Sequence, residues 1–183
     1  MNSGGLTIRM MVMEDLPVYF LYLDDHLRDN GSAGTALFMP MPRGESRVTP
    51  DRQAAFRSGM ETPVGQPGWR RGWLALTPDG RIAGHIDLRA RPEKASAHRA
   101  LLGMGVHRQF RQQGLGAALL KVAQAWAAAQ DLAWIDLEVL SANAPARQLY
   151  AAAGFTQVGR IEDLFRIDGA SLGYIFMAKK VNQ

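Results

Sequence analysis

Between positions 107 and 120 the chain reads HRQFRQQGLGAALL. His107, Arg108, Arg111 and three glutamines run into Gly114 and Gly116, and an apolar helical repeat starts at Leu115. A helix start offers backbone N–H groups without intrahelical partners and a partial positive charge. Glycines let a ligand approach that backbone closely. Basic side chains beside them favour a phosphate, above all a pyrophosphate. An isolated Gly-x-Gly would read as a capped helix with solvated basic residues before it, so the spacing has to discriminate. A P-loop needs Gly-Lys-Ser/Thr after four spacers, which the chain lacks. A dinucleotide fingerprint needs a small residue where Leu119 stands, and glycines directly after a strand rather than about seven residues on. Arg/Gln-x-x-Gly-x-Gly/Ala fits, as Arg111-Gln112-Gln113-Gly114-Leu115-Gly116.

A second stretch, LEVLSANAPARQLYAAAGF at 137–155, follows. LLGMGVHRQFRQQGLGAALL and this stretch, in that order and at that separation, resemble the GCN5-related N-acetyltransferase (GNAT) family. The likeness is most specific over about 100–156, and the order of elements extends it along the chain. It implies a mixed α/β (α+β) GNAT fold of about seven strands, splayed between those at 100–106 and 133–140 and flanked by about four helices. It also implies an acetyl-CoA-dependent N-acetyltransferase that delivers the acetyl group to a primary amine of a small molecule or of a protein or peptide, by direct attack in a ternary complex. The backbone N–H groups of Arg111, Gln112, Gln113, Gly114, Leu115, Gly116 and Ala117 would take the pyrophosphate, with the arginines assisting. Met104 and Val106 would give main-chain contacts to pantetheine inserted as a pseudo-strand. Asn143 would touch the cofactor arm, and Tyr150 would protonate the leaving thiolate. The alternative is a CoA-binding sensory or regulatory module of the same fold without turnover.

Aminolysis of a thioester needs a neutral amine, a stabilised oxyanion and a proton for sulfur. An N–H at or near Met104 would serve the oxyanion. A tyrosine can supply the proton, although by spacing alone Tyr150 reads equally as an aromatic packed under the next strand. Some relatives carry a glutamate base on the strand before the glycine loop, but ALLGMGV has no ionisable side chain. Glu138 and Asp87 are the first candidates in its place, ahead of His85 and His98, with a water chain as another route. Asp24, Asp25, Glu162, Asp163 and Asp168 are carboxylates that could hold a cationic acceptor, though the pair at 24–25 reads more readily as a solvated helix face. The Met and Phe of LFMPMPRGESR read first as a cover for the core.

These groups need elements to position them. Alternation marks a strand at 6–12, and 3.6-residue spacing a helix over 14–27. A Gly-, Pro- and Met-rich loop spans 28–48. Thr49, Pro50 and Gly59 bound a short helix. TPDGR joins strands in a hairpin over 69–90. In the strand at 99–106, Gly103 and Gly105 point to a bulge or a close backbone approach. A helix over 114–130 would bury Leu115, Leu119, Val122 and Trp126. A strand at 132–140, a helix at 143–154 and two strands joined at Asp168–Gly169 complete the order β-α-α-β-β-β-α-β-α-β-β.

The 183 residues suit one domain, 1–183, and 47% apolar content a globular one. Without cysteine there are no disulfides, thiolate nucleophiles or cysteine zinc sites, and four scattered histidines argue for no metal. Net charge is +4, which suits an anionic small ligand; only WRRGW at 69–73 hints at nucleic acid, and no nucleic-acid partner is expected. MNSGGLTIRM lacks a leader's apolar core and no run is long enough for a membrane span, so a cytoplasmic protein is expected. A homodimer is possible.

Overall fold

The computed structural model describes residues 5–32 and 34–181; the first four residues of the stretch read for a leader lie outside it. Its elements in chain order are β1 (Thr7–Met10), α1 (Leu16–Leu27), α2 (Pro50–Glu61), β2 (Arg70–Leu76), β3 (Ile82–Ala90), β4 (Arg99–Val106), α3 (Leu115–Ala129), β5 (Trp134–Leu140), α4 (Ala144–Ala152), β6 (Thr156–Ile167) and β7 (Ala170–Lys180). The strands form one sheet in the order β1-β2-β3-β4-β5-β7-β6. Every pairing is antiparallel except β4 with β5.

That parallel pairing is short: only Arg99, Ala100 and Leu101 face Trp134, Ile135 and Asp136. Beyond it the two strands part, while β4 stays paired to β3 up to Val106 and β5 to β7 up to Leu140. The expected seven-stranded sheet splayed between these strands is therefore present.

Two apolar layers cover the sheet. On one face α3 and α4 bury Leu115, Leu119, Leu120 and Tyr150 against Trp73, Ile86, Leu102, Ile135 and Leu137. On the other, α1 and α2 bury Leu16, Tyr19, Phe20 and Phe56 against Leu74. The α3 stripe is rotated from the expected one. Leu115, Leu119, Leu120, Ala123 and Ala127 are buried, whereas Val122 and Trp126 are half-buried at its flank. Trp126 packs edge-on to Trp73, 5.2 Å between ring centroids, where the helix leaves the sheet.

Caps and turns follow the local sequence. Thr49 Oγ1 accepts from Arg52 N at the start of α2. Gly59 does not end that helix, which runs on to Glu61; a Cβ there would sit 2.8 Å from the Gly68 carbonyl oxygen. Its role is close packing. Asp168 (φ 51°) and Gly169 (φ 82°) make the β6–β7 turn, as a two-residue hairpin loop with both φ positive requires. No helix among the described residues is long and apolar enough to cross a membrane, and none of their His, Asp or Glu side chains cluster in a metal-binding group.

Candidate active site

The glycine loop lies between the end of β4 and α3. Gly114 is the N-cap at φ 78°, in the left-handed region where a side chain is strained. Gln112 also has positive φ, 61°. The turn leaves the amides of residues 111–114 out of the backbone hydrogen bonds among the described residues. The first turn of α3 adds the amides of 115–117, which have no intrahelical acceptor. Seven consecutive donors thus surround one helix start. That arrangement fits a pyrophosphate without any rearrangement of the protein's own hydrogen bonds.

The arginines are placed differently from the sequence expectation. Arg108 reaches Asp25 (Nη1–Oδ2 3.0 Å) and Asp29 (3.2 Å), and Arg111 reaches Asp29 (2.9 Å). Arg111 Nε also donates to the Val106 carbonyl (3.0 Å). His107 Nε2 lies 3.1 Å from Asp25. These side chains tie the loop to the end of α1. Asp25 is therefore not the solvated helix face suggested by its position; chiefly Arg108, through its hydrogen bond, holds its carboxyl below the usual range. Asp24 accepts from the Val48 amide at 2.7 Å.

Backbone alternation assigns the edges of β4. His107 N donates to Ala83 O on β3, so the N–H groups of Gly105 and Gly103 also face β3 and those of Val106, Met104 and Leu102 face the gap toward β5. The gap edge is where a pseudo-strand would bind. Val106 offers only its N–H there, its carbonyl being held by Arg111.

The glycines of β4 mark a close approach and no bulge: the β3–β4 register is unbroken. A Cβ on Gly105 would lie 2.5 Å from His26 Nε2 and 2.7 Å from His85 Cε1, and one on Gly103 would lie 2.8 Å from Asp87 Oδ1. Polar side chains from α1 and β3 thus press onto the strand beside the gap. His26, absent from the sequence candidates, is 5% exposed, and its Nδ1 has no hydrogen-bond partner. Its helical position among aromatic residues disguised it as core. Tyr22 hydroxyl is 3.1 Å from His85 Nδ1. Burial pushes His85 down to about 4, and burial followed by the charge of His85 pushes His26 down to about 3.

Both rings are therefore neutral in the folded protein, whereas histidines of an unfolded chain take up protons below about pH 6.5. Stability is full above that pH and falls as pH drops toward 4 and then 3. Each histidine contributes a slope of about 1.4 kcal/mol per pH unit in that window. Urea unfolding at pH 7.5, 5.5 and 4.5 should show this acid slope, and His85→Gln should reduce it by about half. An unchanged slope in the variant would remove His85 as its source.

The two candidate bases separate. Asp87 is 7% exposed and lies 3.4 Å from both Arg70 Nε and Arg89 Nη1. Glu138 is exposed and lines a cleft of about 370 Å³ with Leu101, Asp136, Phe176 and Val158. The ion pairs of this region go to Asp136, from Arg91 (3.0 Å) and Arg99, and Glu138, which interacts with the Tyr174 hydroxyl, takes part in none of them. Burial and then the Glu138 charge push Tyr174 up to about 12. His98 is exposed on the connection before β4, where its carbonyl accepts from Ala133 N.

Asn143 caps α4, its Oδ1 accepting from Ala146 N at 3.3 Å. Tyr150, on α4, is 8% exposed against Phe155. Burial, then the charge of Tyr174, raises its pKa, so its hydroxyl keeps the proton at neutral pH. Tyr174 stands on β7 (Ala170–Lys180), beyond β5 from the gap. The other carboxylates have partners: Glu162 with Arg160, Asp163 with Arg166 (2.7 Å), and Asp168 with the Arg43 amide (3.2 Å). Arg70 stacks 4.5 Å over Phe56 and Arg71 donates to Met60 O, so the WRRGW arginines serve internal contacts. Phe38 and Met39 pack on the α1–α2 core.

The model of the family described as "Acetyltransferase (GNAT) family" matches residues 39–155. Aminoglycoside N(6')-acetyltransferase type 1 of Klebsiella aerogenes is 34% identical over 92 residues, 48% of this chain and 60% of that enzyme. The match thus spans less than two thirds of that relative. An acetyltransferase of the GNAT family from Streptococcus pneumoniae superposes with a TM-score of 0.78 at 25% identity, over 96% of this chain and 99% of that one. A GNAT superfamily phosphinothricin acetyltransferase from Sinorhizobium meliloti, solved in complex with AcCoA, gives 0.78 at 20% identity over 98% and 90%.

Proposed function

The chain belongs to the GNAT acetyltransferase family, and on that premise we propose that it transfers an acetyl group from acetyl-CoA to a primary amine, by direct attack in a ternary complex. The observation that carries this reading is the run of free amides at 111–117 beside a gap in the sheet. Acetyl-CoA would supply an acetyl group already activated as a thioester. The amides of 111–117 hold the pyrophosphate, the N–H groups of Met104 and Val106 align the pantetheine arm, and the Asn143 side-chain amide meets it from the α4 side. The Met104 N–H is also offered to the thioester oxygen. Tyr150 keeps a proton for the departing sulfur. Glu138, open to the cleft and outside the local ion pairs, takes the proton from the amine. Asp87, tied to two arginines, holds its strand in place instead.

The acceptor enters from the Glu138 side of the sheet. Its identity is tested by a panel of amines, following CoA release: aminoglycosides and phosphinothricin, after the named relatives, then free amino acids, polyamines and peptides. Transfer to any of them supports the reading. Tight CoA binding with no transfer would instead favour a CoA-binding sensory module.

Glu138→Gln should lower kcat/KM for the accepted amine by about a hundredfold at pH 7, the ordinary contribution of a general base. The loss should shrink toward pH 9.5, where more of the amine is already neutral. A pH-independent loss, or none, would reassign the base.

A further inference from the structure

Asp29 and Asn30 are consecutive residues just past α1, and each holds a different segment beside the site. Asp29 pairs with Arg108 at 3.2 Å and Arg111 at 2.9 Å, both in the loop before α3. Arg111 in turn grips the Val106 carbonyl at the end of β4. Asn30 is 1% exposed. Its Nδ2 donates to Met39 O (3.1 Å), Met41 O (3.2 Å) and Ser46 Oγ (3.0 Å), and its Oδ1 accepts from Phe38 N (2.8 Å) and Met39 N (3.0 Å). One buried amide thus satisfies four backbone groups of the segment 35–48, and removing it would leave the Phe38 and Met39 amides and the Met41 carbonyl without a partner among the described residues. That segment continues to the sheet's other half, where Arg43 N donates to Asp168 on the β6–β7 hairpin (3.2 Å).

We propose that Asp29 and Asn30 are positioning residues that couple the coenzyme A loop to the segment 35–48. The coupling rests on the reading that 107–117 holds coenzyme A. A pyrophosphate bound there brings negative charge beside Arg108 and Arg111, the two cations Asp29 holds. Their shared geometry then tightens or shifts together with the end of α1. Asn30, fixed to the next residue of the chain and to both arms of the segment, carries that change across. The segment has no helix or strand of its own beyond a single 3-10 turn and is held by these hydrogen bonds together with Leu37, Phe38, Met39 and Val48, so its opening free energy responds to such a change.

Hydrogen–deuterium exchange with free CoA as the probe tests this. In the wild-type protein, saturating CoA should slow exchange in peptides from 107–118 and, at least about twofold, in peptides from 35–48. In Asp29→Asn, which keeps size and removes the charge, protection of 107–118 should persist while the added protection of 35–48 disappears. Asp29→Glu should restore part of it. Asp163→Asn, which removes a more exposed ion pair on the β6–β7 hairpin, should leave both effects as in the wild type. Protection confined to 107–118 in the wild type, or 35–48 protected equally in Asp29→Asn, would overturn the coupling alone. No protection by CoA in either segment would overturn the coenzyme reading and the coupling with it.

Discussion

Gly114→Glu is expected to abolish coenzyme A binding while the protein stays folded. At φ 78° a non-glycine residue costs about 1–2 kcal/mol, which a domain of this size survives as a modest fall in melting temperature. A Cβ at Gly114 meets no atom within 4 Å, so the side chain has open space at the start of α3, next to the free amides. A carboxylate there stands where the pyrophosphate would bind. At about 4 Å and an effective dielectric of about 20, one such repulsion is worth about 4 kcal/mol, roughly a thousandfold in affinity. Gly114→Ala carries the same backbone strain without the charge and should keep affinity within about tenfold. Titration calorimetry with CoA on both variants, with circular dichroism as the folding control, reads the result. Affinity of Gly114→Glu within tenfold of the wild type would remove this loop as the phosphate site.

Tyr150→Phe should lower kcat by about a hundredfold with CoA affinity unchanged. Only the hydroxyl is lost, so packing against Phe155 is kept. In the proposed reaction its proton would go to the leaving thiolate, and a general acid ordinarily contributes at least about a hundredfold. Burial raises the tyrosine pKa and so keeps the group in its donor form across the neutral range. Equal falls in kcat and CoA affinity would mark a packing role, and no fall would assign the proton to another donor.

Gly114, Asn143 and Tyr150 sit in local motifs, each within one strand–loop–helix or strand–helix unit. Their caps and turns form from neighbouring residues: Asn143 caps α4 within three residues, and Gly114 begins α3. His26 gave no such signal. Its helical spacing with Tyr19, Tyr22 and Leu23 looks like any buried stripe, and its contact with Gly105 spans the distance from α1 to β4. Arg108 and Arg111 were legible as basic residues near a phosphate loop. Their partners, Asp25 and Asp29, lie some eighty positions away.

The same division separates Glu138 from Asp87. Both are carboxylates on alternating strands, and nothing in the order of residues ranks them. Packing separates them: Arg70 and Arg89 converge on Asp87, whereas Arg91 and Arg99, which line the cleft with Glu138, pair with Asp136. The order of elements was legible along the chain because hydrophobic period and turn residues act over a few residues; the splay of the sheet and a coenzyme loop were expected from the family resemblance carried by the motifs over about 100–156. Which charges are paired, and which residues adjoin the gap, came from the folded chain. Ion pairing, burial and close approach depend on what distant segments bring to the same few ångströms, and on how far water is excluded there.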